Sequence, residues 1–229
     1  MPQRFAIYYA PATTDLLWDR ATVWLGRDPA SGLAYDGAVA GIDRTRLLNL
    51  TQSAGRYGFH ATIKPPMALA QGTDLDGLRA ALRDFAENTA PISLGQLQIA
   101  DLEGFLALIP KIEPEGLEHF AGRVVSHFEP FRAPLHPRDR AARAARGLTP
   151  RQEELLDLYG YPYVMDEFRI HMTLTDRLTG DDHEDLLRAA QAWFAPVLEG
   201  DFVLDRLVLF MEPESGLAFR RLEDFVLKG

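Results

Sequence analysis

The chain of 229 residues sets 24 lysines and arginines against 33 aspartates and glutamates, a formal net charge of −9, and contains no cysteine. An apolar share of 47% and a charged share of 25% are those of an ordinary globular protein, long enough for one large domain or two small lobes. The acidic balance argues against non-specific attachment to long nucleic acids or acidic membranes, though not against a small anion in a locally basic cleft. Without cysteine, disulfides, thiolate nucleophiles, iron–sulfur clusters and cysteine zinc sites are excluded.

No window approaches the roughly 20 apolar residues of a membrane helix. The start MPQRFAIYYAPATTDLLW has no basic stretch leading into a long apolar run, so a cytoplasmic location is expected. None of the lysines (Lys64, Lys111, Lys228) follows the glycine pattern of a phosphate loop, and no GxGxxG, GxSxG or HExxH occurs. Histidines, hydroxyls and carboxylates are left to do any chemistry, with no metal and no cofactor expected.

In chain order, Phe5 to Tyr9 reads as a strand, with a turn at Pro11 and a helix from about Asp15 to Leu25. The Gly- and Asp-rich stretch 26–41 reads as a loop, and a short helix over about 44–53 follows with Asp43 as N-cap. Tyr57 to Lys64 is a strand closed by Pro65-Pro66, with Phe59, Ala61 and Ile63 on one face and His60, Thr62 and Lys64 on the other. Leu75, Leu78, Leu82 and Phe85 mark a helix over about 74–88, followed by strands over 92–100 and 105–109 joined at Glu103-Gly104. Leu117, Phe120, Val124, Phe128 and Phe131 trace another helix, and Thr149-Pro150-Arg151-Gln152 opens one that Gly160 ends.

Phe168 to Thr175 is again a strand, with Ile170, Met172 and Leu174 on one face and Arg169, His171, Thr173 and Thr175 on the other. A helix over about 182–194, a strand over 202–210, a turn at Glu214-Ser215-Gly216 and a strand from near Leu217 complete the chain. The last third thus echoes the middle. His171 lies 111 residues after His60, Phe202 lies 110 after Ile92, and Gly216 lies 112 after Gly104. That is the pattern of a duplication. It predicts a single bilobal domain: an N-terminal strand and helices over 1–55, a first repeat over about 56–131, a basic insertion over 132–151 and a second repeat over about 167–227.

Of the six histidines, two are followed two residues later by threonine, against about 0.3 expected by composition. On a strand, residues i and i+2 share a face, so each motif presents an imidazole beside a hydroxyl. Two such pairs facing each other suit phosphoryl chemistry without metal. A neutral histidine takes a proton from the attacking oxygen, a protonated one gives a proton to the leaving oxygen, and the hydroxyls donate to the non-bridging oxygens. His60, Thr62, His171 and Thr173 are the expected catalytic residues, with base and acid interchangeable at this level.

His60-Ala61-Thr62-Ile63 and His171-Met172-Thr173-Leu174 resemble the H-Φ-[ST]-Φ signature of the two-histidine (2H) phosphoesterase superfamily. The words RYGFHATIKPP, PFRAPL, LTPRQEELL and GYPYVMDEFRIHMTLT are similar to a narrower branch often encoded with phosphonate-utilisation genes. The resemblance runs over essentially the whole chain. It implies an α+β, bilobal, duplicated fold with two antiparallel sheets and flanking helices around a central cleft, and metal-free hydrolysis of a cyclic phosphodiester. For the branch it implies a cyclic phosphosugar such as 5-phosphoribosyl 1,2-cyclic phosphate.

Lys64, Arg169 and Thr175 extend the polar faces of the motif strands and are candidates to bind phosphate, or simply to reach solvent. Residues 132–151 carry six arginines against Asp139 alone, a basic lid or a solvated insertion, with Arg132 the best candidate for substrate contact. Tyr163 in Tyr161-Pro162-Tyr163 could stack on a sugar or base, or be core packing. Asp181-Asp182-His183-Glu184-Asp185 reads as a helix start rather than a metal cluster. The expected partner is a small anionic phosphate ester, with no long nucleic acid and no membrane. Cleavage of 2′,3′-cyclic phosphates at RNA ends and phosphate binding without catalysis remain alternatives, and the sequence leaves the oligomeric state open.

Overall fold

A computed structural model describes residues 3–145 and 147–229. Strand β1 (Arg4–Tyr9) is apolar on both faces because it runs between two neighbours: β2 (Ala61–Met67) pairs antiparallel on one side and β7 (Arg206–Glu212) on the other. The helices start largely where polar caps announce them. Asp15, Asp43 and Asp74 each accept a backbone N–H at the start of α1 (Leu16–Leu25), α2 (Arg44–Leu50) and α4 (Leu75–Glu87). The expected 44–53 helix breaks at Thr51, whose hydroxyl turns back to the Leu47 carbonyl, and a separate α3 (Gln52–Tyr57) follows.

Strands β3 (Ile92–Leu102) and β4 (Phe105–Pro110) form the expected hairpin. Helix α5 (Leu117–His127) stops before Pro130, and Glu129–Phe131 continue as a 3₁₀ turn rather than as the helix the periodicity predicts. The basic insertion contains α6 (Pro137–Ala144), and α7 (Pro150–Tyr159) carries the full Thr149/Gln152 capping box. Helix α8 (Asp181–Phe194) begins in the acidic run, where Asp182 and Asp185 pair with Arg46 at 2.6 and 2.8 Å.

Four strand expectations are corrected. The first motif strand, expected from Tyr57, begins only at Ala61, because Tyr57 ends α3 and Gly58, at φ +81°, turns the chain. Pro65 and Pro66 lie inside β2, where the register slips between Phe5↔Met67 and Ile7↔Lys64: two residues without an N–H sit opposite Ala6 as a bulge. The second motif strand is only β5 (Met172–Thr173), because Leu174 and Thr175 both donate to the Leu106 carbonyl and the chain bends out of the ladder. The run expected as one strand over 202–210 divides at Asp205 into β6 (Asp201–Leu204) and β7, which go to opposite ends of the sheet.

With β8 (Arg220–Val226) the eight strands run in the order β6-β3-β4-β5-β2-β1-β7-β8, all neighbours antiparallel. The two antiparallel sheets of the expected fold are thus four-stranded wings, β6-β3-β4-β5 and β2-β1-β7-β8, joined along a seam where the two motif strands pair. Helices flank the wings, and one core cluster that includes Trp18, Trp24, Phe59, Phe128, Phe194 and Phe210 joins them to the sheet. Among the described residues no helix is long and apolar enough to cross a membrane.

Candidate active site

The seam has a single paired register, Ala61 opposite Met172, and both residues are fully buried on the core face. The motif residues flanking this pair, His60, Thr62, His171 and Thr173, are all partly exposed, and His171 lies close enough to His60 to act on its charge. The two motifs therefore meet side by side where β2 and β5 pair, each histidine just ahead of its strand.

Backbone carbonyls orient both rings. His60 Nδ1 lies 2.8 Å from the Gly58 carbonyl and His171 Nδ1 lies 2.9 Å from the Arg169 carbonyl, so each Nδ1 carries the proton and each Nε2 is the reactive nitrogen. His60 Nε2 stands 3.1 Å from Thr62 Oγ1, whose hydroxyl donates to it. Gly58 can point its carbonyl this way because it is a glycine: its φ is +81°, and a Cβ there would meet Pro29 Cγ at 2.7 Å. The His60 pKa is pushed down to about 4, chiefly by burial, which the Gly58 carbonyl opposes and the nearby His171 reinforces. Burial also lowers His171, opposed by the Arg169 carbonyl.

The remaining sequence candidates are placed differently. Lys64 is 1% exposed, and its Nζ donates to the Val125 carbonyl and to Glu129 at 3.0 and 2.8 Å. Arg132 spends its donors on the same Glu129 and on the Ala133 and Leu158 carbonyls. Both cations fasten the turn after α5 to its surroundings. Thr175 is buried, and its Oγ1 accepts the Leu106 N–H at 2.9 Å. Arg169 is exposed but folds back onto the Asp166 and Phe168 carbonyls. Tyr163 is exposed at the surface, edge-on to Tyr161.

The structure adds residues that the motif reading missed. The Tyr8 ring stacks on His60 with centroids 3.8 Å apart, and the Tyr57 ring lies 6.1 Å from His60. Glu212, fully buried, accepts from Arg4 at 2.5 Å, Arg56 at 2.7 Å and the Gly216 N–H at 2.9 Å. Burial alone would raise its pKa, but these donors hold it below the usual carboxylate range. Arg56 and Tyr57 stand in RYGFHATIKPP just ahead of the first motif, which was the available signal. Tyr8 lies on a strand far away in sequence and gave none.

The chain matches a family described as "Protein of unknown function (DUF1045)" over residues 62–220. It is 36% identical over 222 residues to a protein named ribose 1,5-bisphosphate phosphokinase PhnN from Janthinobacterium sp. (strain Marseille), covering 94% of this chain and 49% of that one. It is 35% identical over 219 residues to the protein of the same name from Laribacter hongkongensis (strain HLHK9), covering 95% and 50%. The chain thus spans about half the length of the curated relatives it matches. Among solved structures it is similar to a phosphoesterase (13% identity, TM-score 0.43, all of both chains) and to E. coli LigT complexed with NADP+ (12%, 0.41, all of both chains). With the family matched from inside the first His-x-Thr motif to the start of the last strand, the chain belongs to the DUF1045 family.

Proposed function

We propose that the protein is a metal-independent phosphoesterase that opens a cyclic phosphodiester on a small phosphorylated sugar. The observation that carries this reading is the seam itself: two His–Thr pairs where two antiparallel strands meet, each imidazole anchored through Nδ1. A phosphodiester seated over the seam meets a base, an acid and two hydroxyls at once. His60, the more firmly neutral ring, takes a proton from water as the new O–P bond forms. His171, protonated beside the bound anion, gives its proton to the ring oxygen as that P–O bond breaks. Thr62, its hydroxyl turned from His60 Nε2 to the bound anion, and Thr173 donate to the non-bridging oxygens, where negative charge sits in the transition state. The product is a phosphate monoester and a free hydroxyl, and proton exchange with solvent resets the pair.

The names of the relatives support a phosphosugar. Breaking the P–O2 bond of 5-phosphoribosyl 1,2-cyclic phosphate yields ribose 1,5-bisphosphate, the compound for which those longer proteins are named. The kinase name itself is not carried over, since this chain has no phosphate-loop pattern.

Phosphorus NMR with 5-phosphoribosyl 1,2-cyclic phosphate and the 2′,3′-cyclic nucleotides tests the proposal. Turnover of the phosphosugar is expected, undiminished by chelator, and His60→Ala or His171→Ala should each cost about 10²–10⁴-fold in kcat. Near-normal turnover by either variant would sink the two-histidine mechanism. Turnover of the nucleotides alone would move the substrate to RNA ends, and silence throughout would leave phosphate binding without catalysis.

A further inference from the structure

Beside His60 lies a group of cations and phenols that the acid–base chemistry does not use. Among the described arginines of residues 132–151, Arg132, Arg140 and Arg151 are paired with carboxylates and Arg138 is exposed. Arg143 differs. It leaves α6 half-buried, donates to the Gly160 carbonyl, and lies over the Tyr161 ring at 5.8 Å from the centroid. No carboxylate among the described residues forms an ion pair with it, although Asp139, half-buried one turn earlier on the same helix, lies within electrostatic reach. Tyr161, Arg4 and Tyr57 are within the same reach.

Arg4 and Arg56 share one carboxylate, that of Glu212, and each keeps 29% of its side chain exposed. Three guanidiniums against the carboxylates of Glu212 and Asp139 leave one positive charge in a protein whose net charge is strongly negative. That excess favours an anion such as a phosphate monoester. Tyr8 completes the group. It is fully buried, its hydroxyl has no hydrogen-bond partner, and it lies in the field of Arg4, Arg56, Tyr57 and Tyr161. An unpaired buried hydroxyl costs free energy, and a ligand oxygen offers the missing acceptor.

We propose that this cluster is a subsite for a second, non-scissile phosphate on the substrate, with Arg143 as its principal ligand and the Tyr8 hydroxyl as a further donor. Because Tyr8 stacks on His60, the subsite adjoins the seam that holds the scissile phosphate in this reading. The subsite deepens the phosphoesterase reading and rests on it for the identity of the substrate. It gives an acidic protein a basic contact for a sugar phosphate: among the described arginines of the insertion, Arg143 is half-buried without an ion-pair partner, while Arg140 and Arg151 are paired at the surface.

Ribose 5-phosphate, which has no ring to open, is the binding probe, with ribose as control. Calorimetry should show the wild type binding ribose 5-phosphate and not ribose. Arg143→Ala should weaken binding about 10- to 100-fold, Arg143→Lys less. Tyr8→Phe should weaken it several-fold without lowering Tm, since it removes only an unpaired hydroxyl. Equal affinity in the wild type and Arg143→Ala, or no binding by the wild type, would overturn the subsite. In turnover, the ratio of kcat/KM for 5-phosphoribosyl 1,2-cyclic phosphate over its 5-hydroxyl analogue should fall by the same factor in Arg143→Ala. If the wild type turned over neither compound, the phosphoesterase reading would fail, while the titration would still decide the subsite.

Discussion

His60 and His171 hold the same reactive nitrogen in unequal surroundings. Both are tied through Nδ1 to a carbonyl two residues earlier, but His60 also lies against the Tyr8 ring and has the lower proton affinity. The inequality has a consequence for stability. In the unfolded chain a histidine titrates near 6.5, and in the folded protein His60 titrates at about 4. Between those values the unfolded state binds a proton that the native state does not. Stability therefore rises with pH across about 4 to 6.5 and is lost as pH falls through that window, by about 3 kcal/mol at most. Denaturant titrations at several pH values should show this slope reduced in His60→Gln, with the smaller contribution of His171 retained. An unchanged slope would mean that His60 is not held neutral by its burial.

At the scale of elements, the second motif depends on very little regular structure. Only two residues of β5 are in the ladder, and the chain beyond them is held by Leu174 and Thr175 on the Leu106 carbonyl, by Thr175 Oγ1 on the Leu106 N–H, and by Trp24 Nε1 on the Leu174 carbonyl. Thr175 is thus a positioning residue for His171. Thr175→Val keeps the shape and removes the acceptor of a buried N–H, which should cost about 1–3 kcal/mol of stability. Thermal unfolding checks this, and a variant with unchanged Tm but raised KM would return Thr175 to the substrate. Helix starts were legible from Asp15, Asp43, Asp74 and Thr149, because a cap acts within three residues of itself. The division of FVLDRLVLF into β6 and β7 was not. An apolar run reports burial, and nothing local says which strand each half will meet.

At the scale of the whole molecule, neither wing is built from a continuous stretch of chain. The wing that holds β5 takes β3 and β4 from before the basic insertion and β6 from near the C-terminus. The wing that holds β2 takes β1 from the N-terminus and β7 and β8 from the end. Each half of the chain completes the sheet of the other, so we expect one cooperative unfolding transition. Tryptophan fluorescence, reporting Trp18, Trp24 and Trp193 around α1 and α8, should coincide with far-ultraviolet circular dichroism in a urea titration. Two separated transitions would mean that the wings unfold independently.

The sequence by itself determined the two His-x-Thr pairs, strands at Thr62 and Thr173, and most of the helices, while both histidines stand just ahead of the strands expected to carry them. All of these rest on periodicities and caps that act over two to four residues. The tertiary structure alone decided which polar side chains remain for a ligand. Lys64, Thr175 and Arg132 sit where alternation or the basic run puts them, yet α5, β4 and α7 supply carbonyls, an N–H and a carboxylate that occupy them. Tyr8, which no motif marks, comes to His60 because β1 runs beside β2. A side chain's chemistry is written in its residue type, but its availability depends on what packs over it, and those partners are distant in sequence.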